Sequence, residues 1–307
     1  MNKIPHLPVL LDEVCDSFKS LSDFDIFIDC TLGYGGHSEA ILKMLPNIKL
    51  IAIDQDDEAL NFAKDRLKQF ESRVEFKKGR FSDVVKSLDV PIAGLLADIG
   101  VSSLHLDKDD RGFGFYSTEL DMRMDKNSHE ISAKDVLNSY DLLSLEKIFR
   151  DFGEIREYKK LAKLITEYRK TKKFESCYEF SNLIEKHFKK QKIHPATLAF
   201  QAIRIEVNQE LQELEELLKT LEQKKPKNAV IAIISFHSLE DRVVKNYFKK
   251  WSSDCICDEN VYKCECGNNN SLGEVITKKP LTATDSEIKQ NARSRSAKLR
   301  VFKFHGN

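Results

Sequence analysis

The stretch Asp29-Cys30-Thr31-Leu32-Gly33-Tyr34-Gly35-Gly36-His37 follows an apolar run and precedes a helical pattern. At such a strand-to-helix turn, backbone N–H groups can receive an anionic part of a ligand. Glycine suits the place because a Cβ would block close backbone approach and because these turns use positive φ. Asp54 lies 21 positions (54 − 33) beyond Gly33, at the end of the next apolar run. A carboxylate there can take both ribose hydroxyls, so the pair implies a nucleoside-containing cofactor. The dinucleotide pattern wants a third glycine at position 38, which is Ser38, and this weakens the pyrophosphate reading. S-adenosylmethionine has no phosphate. Its carboxylate would lie on the turn, and its sulfonium favours nearby carboxylates such as Asp29 and Asp98. The residues lean toward a methyl donor.

These side chains need a frame. Strand patterns at Ile26–Asp29, Lys49–Asp54, Val74–Lys78 and Gly94–Asp98 alternate with helical patterns, the period of a parallel sheet with crossover helices. From about Ser132 to His187 only helical periodicity is visible, with no convincing strand. Alternation returns with a helix over Gln209–Leu221, a strand over Val230–Ser235, a helix over Leu239–Trp251, and strands over Glu274–Lys278 and Ala297–Phe304. The expectation is an α/β fold on seven strands, with residues 107–206 as an inserted helical domain and residues 1–106 and 207–307 forming the parent domain. In such a sheet the carboxyl ends of the strands carry the ligand crevice. This directs attention to Asp98, followed by Gly100, Ser102 and Ser103. His237 sits at another strand end, in Ser235-Phe236-His237-Ser238; it is expected to face the crevice, with capping of the helix near Leu239 as the other reading.

At 307 residues the chain has roughly two domains' length. Hydrophobic residues at 41% and charged residues at 32% exclude a disordered or fibrous chain. The longest apolar run, Ala229–Phe236, is too short for a bilayer. Pro5, Pro8, Asp12 and Glu13 break the stretch a secretory signal would need, so the expected compartment is the cytoplasm. The 49 basic and 49 acidic residues cancel, so any attraction to nucleic acid must come from local clustering. Cys15, Cys30 and Cys177 are scattered singly and read as buried reduced thiols. Cys255-Ile256-Cys257 and Cys264-Glu265-Cys266 form two C-x-C motifs. Four thiolates suit structural zinc, although C-x2-C spacing is commoner, and free thiols or a redox-labile pair stay open. No metal ligand is assigned on this ground.

With these residues in hand, the chain resembles the RsmH (MraW) family of small-subunit (16S) ribosomal RNA cytosine-N4 methyltransferases over nearly its whole length. The blocks that carry the resemblance include His6–Glu13, Asp29–Ser38, Asp98–Ser103, Arg111-Gly112-Phe113-Gly114-Phe115, Leu120–Asp125, His194–Thr197, Phe200–Ile205, Ile234–Arg242 and Asn291–Arg300. The resemblance implies a Rossmann-like class I methyltransferase sheet with a helical domain inserted after the fourth strand. It implies S-adenosylmethionine as cofactor, with Gly35, Gly36, His37, Asp54, Phe81 and Asp98 lining its pocket beside Gly33. His105 stands where the family usually carries glutamine, and Leu198 where it commonly carries arginine.

For the chemistry that the resemblance implies, the site must accept the N–H bonds of a cytosine amine so that its nitrogen becomes more nucleophilic. Asp98, with Ser102 or Ser103 beside it, is the expected acceptor, and no strong base is required. The base must leave its stack. Phe113, Phe115 and Tyr116 could offer a stacking face, with Arg111 and Arg123 nearby for phosphate, or could anchor the inserted domain. Between Lys278 and Arg300 seven basic residues face two acids, an excess of +5 that includes Arg293, Arg295 and Lys298. It is the expected RNA-binding patch. The partner is then ribosomal RNA or the assembled small subunit, no membrane is involved, and the oligomeric state, a homodimer included, stays open. The alternatives are a same-fold methyltransferase on another RNA base or a protein, a nicotinamide oxidoreductase, and a non-catalytic RNA-binding assembly factor.

Overall fold

The computed structural model describes residues 8–22, 25–101, 108–128, 130–189, 194–258 and 263–306. The chain divides into two compact units, one made of Met1–Gly100 with Leu211–Asn307 and the other of Val101–Glu210.

The first unit is built on a seven-stranded sheet. Its strands are β1 (Ile26–Asp29), β2 (Lys49–Asp54), β3 (Val74–Lys78), β4 (Gly94–Asp98), β5 (Val230–Ser235), β6 (Gly273–Val275) and β7 (Lys298–Phe304), in the order β3-β2-β1-β4-β5-β7-β6. β1 to β5 pair in parallel, whereas β7 runs antiparallel to both β5 and β6. The Val-Ile-Ala-Ile-Ile-Ser sequence of β5 is buried at every position, as expected of a central strand covered on both faces. Successive strand residues feed opposite cores. Phe27, Leu50 and Ala52 join one apolar cluster, and Ile28, Ile51 and Ile53 the other, because side chains alternate across a sheet. Helices α1 (Leu11–Phe18), α2 (Gly36–Met44), α3 (Asp57–Arg66), α4 (Phe81–Ser87), α10 (Glu210–Lys224), α11 (Ser238–Trp251) and α12 (Asp285–Gln290) flank the strands.

The sixth strand is shorter than expected and stops at Val275 instead of Lys278. The N–H groups of Ile276 and Thr277 both aim at the one carbonyl of Val301, at 3.0 and 3.4 Å, so the ladder cannot advance. α1 and α4 carried no assignment in the sequence, although Leu11, Val14, Cys15 and Phe18 stand at helical spacing in α1; the seven residues of α4 span only two turns.

The second unit is helical, with α5 (Ala133–Ser139), α6 (Leu142–Asp151), α7 (Tyr158–Tyr168), α8 (Cys177–His187) and α9 (Thr197–Asn208) and no strand among its described residues. Phe149, Phe174 and Phe180 are fully buried at its centre. Arg169 donates to the Leu137 and Tyr140 carbonyls and so satisfies the C-terminal end of α5. Among the described residues no helix is long and apolar enough to cross a membrane.

Candidate active site

Three carboxylates end three neighbouring strands. Asp29 closes β1, Asp54 closes β2 and Asp98 closes β4, with β1 in the middle. Asp29 pairs with Ala52 on one side and Leu96 on the other, so Asp54 and Asp98 each reach two residues further along the sheet. Two strand spacings separate them, on the order of 10 Å.

Beyond Asp29 the chain threads between its neighbours before turning. Cys30 N–H donates to the Leu96 carbonyl at 2.8 Å and Leu32 N–H to that of Ile53 at 2.9 Å. The Thr31 hydroxyl accepts from Asp98 N–H at 2.7 Å, and Gly33 N–H donates to Asp54 Oδ2 at 2.8 Å. The glycine turn is therefore sewn to both flanking acids before the cofactor is considered. Gly33 and Gly35 take φ of 51° and 73°, in the left-handed region where a side chain is strained. Gly36 excludes a side chain for another reason, since a Cβ there would lie 2.4 Å from Pro8 Cγ. No side chain caps α2 at Gly35, so its first-turn N–H groups face the end of the turn. From α3, Arg66 holds the Tyr34 carbonyl at 3.3 Å and Glu39 at 2.6 Å.

Asp54 is oriented by two backbone donors, Gly33 N–H and Asp56 N–H, one on each oxygen. Gly79 N–H donates to its carbonyl at 3.0 Å, which brings the start of α4, and with it Phe81, beside β2. Glu213 of α10 fixes that start by accepting from Ser82 N–H at 2.9 Å.

Asp29 itself is turned inward. It is 1% exposed and accepts from the Ser38 hydroxyl at 2.6 Å and from Thr31 N–H at 3.1 Å. Burial raises its pKa, against those two hydrogen bonds. The expectation that Asp29 faces the sulfonium is thus corrected: it ties α2 to β1. Ser38 stands at the third-glycine position because its hydroxyl satisfies a buried carboxylate.

Asp98 differs. Its side chain keeps 23% exposure, and burial beside the Glu240 carboxylate pushes its pKa up to about 7, although a hydrogen bond from Gly100 opposes the shift. His37 stands 3.9 Å away, Nδ1 to Oδ2. Burial lowers the His37 pKa, which keeps the ring neutral. Its Nε2 lies 2.8 Å from the Val9 carbonyl, which can only accept, so Nε2 carries the proton and Nδ1 presents a lone pair toward Asp98. Gly100 continues from β4 beneath Phe236, whose ring would meet a Cβ at 2.4 Å.

His237 caps a helix, and its Nε2 lies 2.9 Å from Glu240 Oε1, the carboxylate beside Asp98, so the cap stands at the same strand ends as Asp98. It begins α11 with its ring accepting from Glu240 N–H, while Glu240 accepts from the N–H groups of Phe236 and His237 at 2.8 and 3.1 Å. Glu240 escaped the sequence reading, although a polar cap followed three residues later by glutamate is the capping-box signal. Ser102, Ser103 and His105 lie outside the described residues.

The phosphate-binding expectations change most. Arg111 is 4% exposed and donates to the Met124 carbonyl at 2.7 Å, so it closes a loop inside the second unit. Arg123 makes a two-pronged pair with Asp121 at 2.8 and 2.7 Å and donates to the Ser128 carbonyl. Both guanidinium groups make hydrogen bonds within the protein. Lys298 lies 3.4 Å from Asp241, which also holds the buried Arg300 in two hydrogen bonds. Arg295, Lys278, Lys279 and Lys289 are exposed and Arg293 is half-buried. Of the three aromatic residues, Phe113 and Phe115 belong to the second unit's core, Phe115 stacking on His194 at 4.3 Å, whereas Tyr116 is 67% exposed.

A sheet ordered 3-2-1-4-5 could belong to a dinucleotide dehydrogenase, but an antiparallel β7 inserted ahead of β6 could not follow from that pattern. With an acid at the tip of β2 and a glycine turn that has no third glycine, the fold is that of the class I S-adenosylmethionine-dependent methyltransferases. The donor set fits that cofactor, as backbone N–H groups suit its carboxylate, Asp54 its ribose, and the Asp98 side its cationic end. Comparison with known proteins agrees. The chain belongs to the MraW methylase family, whose model matches residues 3–305. It is 58% identical over 302 residues to Ribosomal RNA small subunit methyltransferase H of Aliarcobacter butzleri, covering 98% of this chain and 99% of that protein. It is 56% identical to the protein of the same name from Wolinella succinogenes, covering 98% of each chain. With that of Helicobacter pylori strain 26695 it shares 52% identity over 97% of each.

Proposed function

We propose that this chain methylates the N4 amino group of a cytidine in small-subunit ribosomal RNA, acting in the cytoplasm. The observation that carries the reading is the Asp98–His37 pair, two acceptor atoms 3.9 Å apart at the end of β4. With Asp98 ionised, the two lone pairs can both accept from one ligand nitrogen, and an exocyclic amine or an ammonium offers such N–H donors. The relatives' names supply ribosomal RNA as the substrate class.

S-adenosylmethionine, when bound, supplies a methyl group activated on a sulfonium. The chain's own residues do the positioning. The N–H groups of the glycine turn hold a carboxylate and Asp54 holds the ribose hydroxyls. Phe81 flanks that end. Asp98 accepts an N–H of the cytosine amine, which directs the nitrogen lone pair along the line of displacement. The amine loses a proton after methylation, and a carboxylate with pKa about 7 is matched to receive it at neutral pH.

A pH dependence follows. The working form of Asp98 is the carboxylate, so kcat/KM should rise about tenfold per pH unit below 7 and level off above it. A cation bound beside Asp98 favours its ionised form, so the kcat profile should level off at lower pH than kcat/KM. A flat profile between pH 5.5 and 8, about the range over which this group titrates, would remove Asp98 from the rate equation.

Of the three aromatic residues Tyr116 is the exposed one, and we assign to it the stacking on an extruded base. Base–aromatic stacking amounts to about 1–3 kcal/mol, so Tyr116→Ala should raise KM for RNA by about 5- to 100-fold. Cofactor affinity, read by calorimetry, should not move. The exposed Lys278, Lys279 and Arg295 supply charge for phosphates.

The test of the whole reading is incubation with labelled S-adenosylmethionine and small subunits lacking the modification, followed by nucleoside mass spectrometry. N4-methylcytidine is the expected product. Label on another base, or none at all from protein that takes up the cofactor, would overturn it.

A further inference from the structure

The four clustered cysteines lie in the first unit, in the segment that joins α11 to β6. The segment is closed at its base by hydrogen bonds from Leu272 N–H to the Trp251 carbonyl at 2.7 Å and from Asn270 N–H to the Asp254 carbonyl at 3.1 Å. Between these anchors there is no helix or strand among the described residues. Its one large apolar side chain among them, Ile256, is 61% exposed. A loop of about 20 residues whose described part has no core of its own is unusual in a compact domain and needs a staple.

The thiols supply the geometry of one. Cys255 Sγ lies 3.7 Å from Cys264 Sγ and 3.8 Å from Cys266 Sγ, and Cys264 and Cys266 are 3.5 Å apart. All four sulfurs, Cys257 included, fall within 4.8 Å of one another. A disulfide would bring one pair to about 2.05 Å. Four thiolates around zinc at about 2.3 Å would instead sit about 3.8 Å apart, the edge of that tetrahedron. The backbone is also arranged for thiolates. Ile256 N–H, in the middle of the first C-x-C arm, donates to Cys266 Sγ at 3.4 Å, and Glu265 N–H, in the middle of the second, donates to Cys257 Sγ at 3.4 Å. Each arm thus orients a ligand of the other, the outer-sphere bonding that fixes ligands at metal sites. Cys255 and Cys264 are exposed, which is not how a free cysteine serves as a small core residue.

We propose that Cys255, Cys257, Cys264 and Cys266 bind one structural zinc ion that holds the 252–271 segment closed at the β6 edge of the sheet. The ion displaces thiol protons on binding and leaves no open coordination position, so its role is conformational. Elemental analysis of protein purified under reducing conditions without chelator should find about one zinc per chain, and Cys257→Ser combined with Cys264→Ser should reduce it to background. Stripping the wild-type protein with a mercurial and refilling it with cobalt covers the case in which the variant fails to fold. A tetrahedral cobalt–thiolate spectrum and renewed resistance to proteolysis within residues 252–271 are expected. Absence of zinc with four alkylatable thiols, a disulfide among the four by mass spectrometry, or iron in its place would each overturn the assignment. None of these readouts depends on methyl transfer, so failure here leaves the catalytic reading untouched.

Discussion

Asp98→Asn is expected to make the protein more stable and nearly inactive at once. In the fold the carboxyl has a pKa of about 7, against an ordinary 3.8, chiefly because it is buried. A raised pKa means that folding favours the neutral acid. The penalty is absent below about pH 4, grows as pH rises, and is complete above about pH 7, where three units amount to about 4 kcal/mol. Asparagine has the same shape, no charge, and an oxygen that can still accept the Gly100 hydrogen bond. Chemical denaturation at pH 8 should therefore show a gain of about 2–4 kcal/mol for the variant, shrinking toward zero near pH 4. The same substitution removes the acceptor assigned to the amine N–H, and kcat should fall by about 10²–10³-fold. Asp98→Ala should lose as much or more. A variant with near-normal turnover would take Asp98 out of the mechanism, and unchanged stability at both pH values would contradict its buried ionisation.

Replacing Asp54 with alanine should have the largest effect on cofactor affinity. Hydrogen bonds to a charged acceptor contribute about 1.5–3 kcal/mol each, so losing two ribose contacts should weaken binding by about 100- to 10,000-fold. Asp54 also accepts from Gly33 N–H at 2.8 Å and Asp56 N–H at 2.9 Å, so alanine leaves both donors without that partner and loosens the glycine turn. Asp54→Asn separates the two effects. It keeps an oxygen for one backbone donor and so retains more stability, yet it presents an amide where the ribose needs an acceptor. Calorimetric titration with S-adenosylmethionine measures affinity, and denaturation measures stability. Wild-type affinity in both variants would place the ribose elsewhere.

β1, β2, β4 and β5 were legible because each is a short apolar run bounded by a polar or turn residue, a pattern that a buried parallel sheet imposes directly, whereas the edge strand β3 shows only the Val74–Phe76 alternation. β1, β2, β3, β4 and β5 carry the expected boundaries. The glycine turn and its spaced aspartate were legible for a related reason, since backbone conformation at Gly33 and Gly35 restricts residue type locally. The end of β6 was not legible, because it depends on which carbonyl of β7 two successive N–H groups can reach.

What the sequence by itself determined is the succession of strands, the acids at the strand tips and the chemical class of their ligand. All three are written in contacts between near neighbours along the chain. Only the tertiary structure decided how each polar group is used: Ser38 on Asp29, Glu240 beside Asp98, and Lys298 and Arg300 on Asp241. The hydrogen-bonded partners among these stand up to 59 positions apart, and Glu240 and Asp98 are 142 apart (240 − 98); composition holds no record of which distant group will arrive. The exposed Tyr116 and the gathered cysteines belong to the same category, since exposure and sulfur–sulfur distance exist only once the chain has folded.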